Sequence, residues 1–239
     1  MNIVVVGATG ATGKIVVQEL INHNHIVKAV IRVESSLPSG IFPHSNVTII
    51  TGSILEFSDI DMSELIKDCD AIISCLGHNL TFKGMFGHPR RLVTQTIEKL
   101  YNSIKNERPN KKIKLVLMNS SGNSNRDLDE KISLAQKCII TLVRTLLPPH
   151  LDNEKASDYL RVIVGQNNKD LEWVVVRPDG LIDKDKISDY EIFPSPIRSA
   201  LFDAGETSRI NVAHFMVELI RNETTWNNWK GQMPLIYNK

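Results

Sequence analysis

The stretch VVVGATGATGK, residues 4–14, constrains this chain more than any other part of it. An apolar β-branched run, Ile3–Val6, meets Gly7, Gly10 and Gly13, and a segment of helical period, Gly13–Asn22, follows at once. Glycines at this spacing permit a sharp strand-to-helix turn and a close backbone approach. The free N–H groups and positive dipole at the helix start can then receive a pyrophosphate. Thr9, Ala11 and Thr12 fill the turn between the glycines, and the two threonines can add hydroxyl donors. No Lys-Ser or Lys-Thr pair stands after the last glycine in the spacing that nucleoside triphosphate hydrolysis requires. A dinucleotide is the expected ligand.

The rest of the chain repeats the same alternation. Unbroken apolar runs at Ile26–Ile31, Val47–Ile50, Ala71–Cys75, Ile113–Met118 and Trp173–Val176 read as strands covered on both faces. Between them, helical period runs over Met62–Lys67, Arg91–Ile104, Leu128–Leu147 and Asn153–Val164. This order predicts an α/β fold of Rossmann type, a doubly wound and mostly parallel sheet. Asn211 is placed to cap a last helix, MPLIYN to add a final strand, and residues 181–208, rich in Asp, Ser and Pro, to form loops. With 239 residues, 42% of them hydrophobic, one NAD(P)-binding domain over 1–239 is expected.

Charge and composition then exclude partners. The formal net charge of +1 supplies no long-range field toward nucleic acid or an anionic membrane. The basic run KNERPNKKIK lacks the interleaved aromatics that stack bases and reads as a solvated loop. The run before Gly7 is too short for a signal peptide or a membrane span, so a cytoplasmic location is expected. Cys69, Cys75 and Cys138 form no C-x-x-C spacing and the seven histidines are scattered, so neither a disulfide framework nor a metal site is expected. No G-x-S-x-G elbow occurs.

The choice of dinucleotide turns on the end of the second strand. Arg32 stands there, and its planar fork suits a 2′-phosphate and the adenine face, with Ser35 or Ser36 to assist. Glu34 reaching the ribose hydroxyls would favour NAD instead. NADP is expected, with NAD as the alternative.

Taken together, VVVGATGATGK, Arg32, the CLG after the fourth strand, the NSSG after the fifth and LEWVVVRPDGL resemble the atypical short-chain dehydrogenase/reductases. The resemblance is to their NAD(P)H-binding, NmrA-like group, which includes flavin and biliverdin-IXβ reductases. It implies a Rossmann core with a small carboxyl-terminal lobe, bound NADP or NAD, and a substrate pocket at the carboxyl ends of the strands. It also implies that Leu76 and Gly77 contact the cofactor, with His78 and Asn79 as weaker contacts, and that Ser120, with Ser121 beside it, faces the nicotinamide and substrate. The glycine-containing loop after Asn79 could be a lid.

One departure from that group bears on chemistry. Its Tyr-x-x-x-Lys pair maps onto LDNEK, with Leu151 in place of the Tyr acid and Lys155 kept to hold the nicotinamide ribose. Tyr159, one helical turn beyond Lys155, or His150, just before the motif, could replace the acid. Ser120, Lys155 and Tyr159 are therefore the expected catalytic residues. The expected activity is NADPH-dependent hydride transfer to a small conjugated acceptor, such as a flavin or quinone, that solvent can protonate afterwards. A non-catalytic redox sensor of NmrA type and a sugar-nucleotide epimerase or dehydratase are the alternatives.

Overall fold

The computed structural model describes residues 1–32, 44–78, 81, 86–130 and 133–239, the side chains of 134, 137 and 138 excepted. Six parallel strands make its centre: β1 (Asn2–Val6), β2 (Ile26–Ile31), β3 (Val47–Thr51), β4 (Ala71–Ser74), β5 (Ile113–Met118) and β6 (Leu171–Pro178). They lie in the order β3-β2-β1-β4-β5-β6, and the late strands β10 (Leu235–Asn238) and β8 (Tyr190–Phe193) extend that edge. The order reverses beside β1, where Val6 pairs with Val30 on one side and Ser74 on the other. A crevice opens at such a reversal, outside the carboxyl ends of the strands.

Alternation along β1 explains why the sheet is covered twice. Ile3 and Val5 face one core with α1 (Gly13–Asn22) and α6 (Arg209–Arg221). Val4 and Val6 face the other, with α2 (Asp59–Ile66), α3 (Leu92–Glu107) and α5 (Pro148–Asp158). Both sets are essentially inaccessible, as an unbroken Val/Ile run requires.

The structure shifts several boundaries, each for a local reason. α2 starts at Asp59 rather than Met62, because Ser58 and Asp61 form a reciprocal capping box. The helix expected from Leu128 starts at Leu134 (α4, Leu134–Leu146), since Glu130 is drawn inward to Arg177 at 2.7 Å. The helix expected from Asn153 starts instead at Pro148, a residue suited to a first turn, and loosens into a π-helical stretch, Tyr159–Val164. Asn211 is not a cap: Ser208 accepts from its N–H, and the buried Asn211 amide binds Ser188 and Asn238. Residues 181–208 carry more order than expected, since β7 (Gly180–Ile182) pairs with β9 (Glu206–Ser208) and β8 pairs antiparallel to β10. A short last helix, α7 (Glu223–Trp229), precedes β10. Cys69 and Cys75 are free and buried, and burial pushes the Cys75 thiol up to about 12; the Cys138 side chain lies outside the described residues.

Candidate functional site

The glycine turn is built as its spacing implies. Gly7 leaves β1 with φ +79°, and a Cβ there would lie 2.9 Å from the Cys75 backbone of the neighbouring strand. Gly10 N–H donates to Gly7 O at 3.0 Å. A Cβ on Gly13 would lie 2.0 Å from that same carbonyl, so only glycine lets α1 start this close to β1. The first turn of α1 holds no acidic side chain, and its N-cap residue Thr12 makes no side-chain cap. Lys14 and Ile15 N–H are taken by Gly10 O and Thr12 O at 3.0 Å, which leaves the amides of Ala11, Thr12 and Gly13 without a partner among the described residues and available to an anion. Thr12 is buried while Thr9 and Ala11 are more open.

A cleft of about 200 Å³ runs from this turn across the reversal point, lined among others by Thr9, Gly10, Arg32, Leu76 and Gly77. Arg32 is exposed at its far wall, near Ser53. Glu34, Ser35 and Ser36 lie outside the described residues, as do Asn79 and most of the loop after it. Gly52, Ser53, Ile54 and Leu92 also line the cleft, and the sequence reading missed them. Gly52-Ser53 follows β3 directly, a strand-end signal like that of Arg32.

A second group of residues collects where β5 ends. Asn119 accepts from Ser120 N–H at 2.9 Å and donates to Asn153 O at 2.9 Å, which ties the loop to α5. Ser120 Oγ accepts from Gly122 N–H at 3.2 Å. A Cβ on Gly122 would sit 3.6 Å from Ser120 Oγ and 3.4 Å from His150 Cε1, so hydroxyl and imidazole converge on one spot. Ser121 instead donates to Asp179 at 3.0 Å and serves the turn.

His150 stands on the first turn of α5. Burial lowers its pKa, opposed by Glu154, whose Oε1 is 3.8 Å from Nε2, and supported by Arg144. Glu154 is occupied by a bidentate Arg144 at 2.6 and 2.8 Å. His150 is therefore a neutral imidazole near pH 7, able to donate one hydrogen bond but poor as an acid.

Two further residues from the sequence reading stand elsewhere. Lys155 is exposed one turn beyond the half-buried Leu151, with no hydrogen-bond or ion-pair partner among the described residues. Tyr159 is placed toward α3 rather than beside the Ser120 loop. It lies nine residues beyond His150, about 13 Å at the helical rise, and its ring packs edge-on against Tyr101 of α3 at 6.1 Å. Tyr101 in turn bonds Asn168, which precedes β6 at the opposite end of the sheet from the glycine turn. His78 is also redirected, its ring buried on Asp152 at 2.8 Å. Arg177, read only as part of a motif, is a buried staple that binds Glu130, Asn123 O and Met233 O.

This layout, a glycine turn at the reversal point of a parallel sheet, has counterparts. A family described as NAD(P)H-binding matches residues 7–223. The chain belongs to the NAD(P)H-binding family. Among curated proteins, none matches it. Solved structures share the fold of this NAD(P)H-binding protein over its whole length. A short-chain dehydrogenase/reductase from Veillonella parvula in complex with NADP aligns with TM-score 0.68 and 14% identity, covering 99% of this chain and 94% of the other. The anaerobillin reductase ChuY from Escherichia coli aligns with TM-score 0.67 and 17% identity, over 100% and 97%. A candidate NADH-flavin reductase from Streptococcus pneumoniae aligns with TM-score 0.68 and 20% identity, over 100% of both chains. At these identities the likeness is one of fold. Among the described residues, no helix is long and apolar enough to cross a membrane, and no group of three His, Cys, Asp or Glu could hold a metal ion.

Proposed function

We propose that this protein is an NADPH-dependent oxidoreductase that passes hydride to a small conjugated acceptor, a flavin or a quinone. The observation that carries the reading is the pairing of Ser120 with a neutral His150 over Gly122, beside a position where Leu151 replaces an acid. When bound, NADPH supplies the hydride. The turn at Gly7, Thr9, Gly10, Ala11, Thr12 and Gly13 holds its pyrophosphate, Arg32 its 2′-phosphate, and Leu76 and Gly77 the adjoining ribose. Lys155, without a side-chain partner among the described residues, reaches the nicotinamide ribose. Ser120 donates to the acceptor carbonyl as negative charge develops, and His150 adds a second donor. Neither group readily yields a proton at neutral pH. Acceptors that solvent protonates after hydride arrival are therefore favoured over ketones, whose alkoxide needs a proton at once. The Veillonella neighbour in complex with NADP and the reductase descriptions of the other two support this assignment at the level of fold.

One observation favours a second reading, a redox sensor that reports its dinucleotide to a protein partner. On α4, Ile139, Leu142 and Leu146 fall on one exposed face at 37, 56 and 57% accessibility, which suits a partner surface. The two readings separate in one assay. NADPH oxidation is followed with a quinone, a flavin and a ketone panel. The oxidoreductase reduces quinone or flavin faster than ketones by about 10²–10⁴, the usual value of a missing general acid. Tight NADPH binding with no turnover of any acceptor establishes the sensor instead.

A further inference from the structure

Asp152 takes no part in the chemistry above, yet it is among the most heavily bonded side chains in the protein. It lies in α5, 1% exposed, between His150 and Lys155. Its carboxylate accepts from Val93 N–H at 2.8 Å, Thr94 N–H at 3.0 Å, Thr94 Oγ1 at 2.6 Å and His78 Nε2 at 2.8 Å. Burial alone would raise its pKa; the bonds from His78, Thr94 and Val93 outweigh that and hold the group below the usual carboxylate range.

The donors come from two other segments. Val93 and Thr94 open α3, whose N-cap residue Arg91 makes no side-chain cap, so Asp152 caps that helix from across the core. His78 lies four residues after the end of β4. The residues next to these donors, Leu92 on one side and Leu76 and Gly77 on the other, line the cleft. A serine at the N-cap would satisfy α3 without burying a charge. What the carboxylate adds is a tie between both walls of the cleft and the helix that bears His150.

We infer that Asp152 is a positioning residue for the dinucleotide cleft, acting through His78 and the start of α3. The inference rests on the reading of that cleft as the NADPH site, and binding separates the two. His78→Ala removes one donor and leaves the α3 cap intact, so NADPH affinity should fall about tenfold, the size of one hydrogen bond to a charged group. His78→Gln, whose amide N–H can replace Nε2–H, should restore most of that loss. Asp152→Asn should weaken NADPH at least as much and lower the melting temperature as well, because its NH₂ faces backbone donors. Titrations are run well below each variant's melting temperature. Wild-type affinity in His78→Ala overturns the inference, as does a His78→Gln no better than alanine, which would mean that ring packing and not the bond matters. Unchanged NADPH affinity in Gly13→Ala would overturn the cleft assignment itself, whatever the His78 variants do.

Discussion

The glycine turn after β1 and the loop-and-helix region after β5 sit side by side at the carboxyl ends of the strands, but they are held by different physics. The turn is local: Gly7, Gly10 and Gly13 hydrogen-bond and pack within seven residues, and the requirement for glycine is written into the spacing. The second region is stitched from afar. Asp152 bonds Thr94, Asn119 bonds Asn153, and Arg177 bonds Glu130, Asn123 and Met233. Binding is thus assigned to a pattern that sequence shows, and reactivity to an arrangement that only folding assembles.

The sharpest break of this comparison is Arg177→Met. It leaves Glu130 buried without its cation and the carbonyls of Asn123, Met233 and Pro194 without the guanidinium donor, and should cost about 3–5 kcal/mol in urea unfolding. The double variant Arg177→Met/Glu130→Gln should recover part of that. A loss near zero would show that the second region does not depend on long-range staples.

For the first region, Gly13→Ala places a Cβ 2.0 Å from the Gly7 carbonyl, so the turn must shift. NADPH binding should weaken by roughly 1–3 kcal/mol, the cost of forcing an extra methyl into a packed site. An unchanged NADPH dissociation constant would mean that the local geometry of the turn is not what binds.

This contrast also explains what the sequence disclosed. The six central strands, the glycine turn and Arg32 at the cleft all follow from runs and spacings within a few residues. For Tyr159, helical spacing from Lys155 says which face a residue shares but not what packs on it, and the ring contact with Tyr101 and the π-helical stretch became visible only in the fold. His78 and Asp152 are 74 positions apart, and no local pattern joins them. Asn211 looked like a cap because Asn caps well, yet Ser208 stood three residues earlier with the same ability.

Two smaller effects refine the account. Arg32→Ala should cost NADPH roughly 1.5–3 kcal/mol of binding while NADH changes little, as read by calorimetric titration of both. Equal losses, or a wild-type preference for NADH, would remove the 2′-phosphate assignment. Stability should also depend on His150. Its pKa is lowered by burial, so below the ordinary value of 6.5 the unfolded chain binds a proton that the folded chain refuses. Stability therefore falls as pH drops below about 6.5. The melting temperature of His150→Gln should fall less over that window than that of wild type, with the similarly lowered His25 acting equally in both. Parallel curves would place His150 in solvent.

The most direct test of the division between binding and reactivity is the rate of NADPH oxidation by a quinone at saturating NADPH, measured in wild type and in Ser120→Ala alongside the NADPH dissociation constant of each. The account predicts that Ser120→Ala binds NADPH as wild type does but transfers hydride more slowly, by about 10–100-fold for one lost transition-state hydrogen bond. An unchanged rate, or a loss that appears in binding alone, would contradict it.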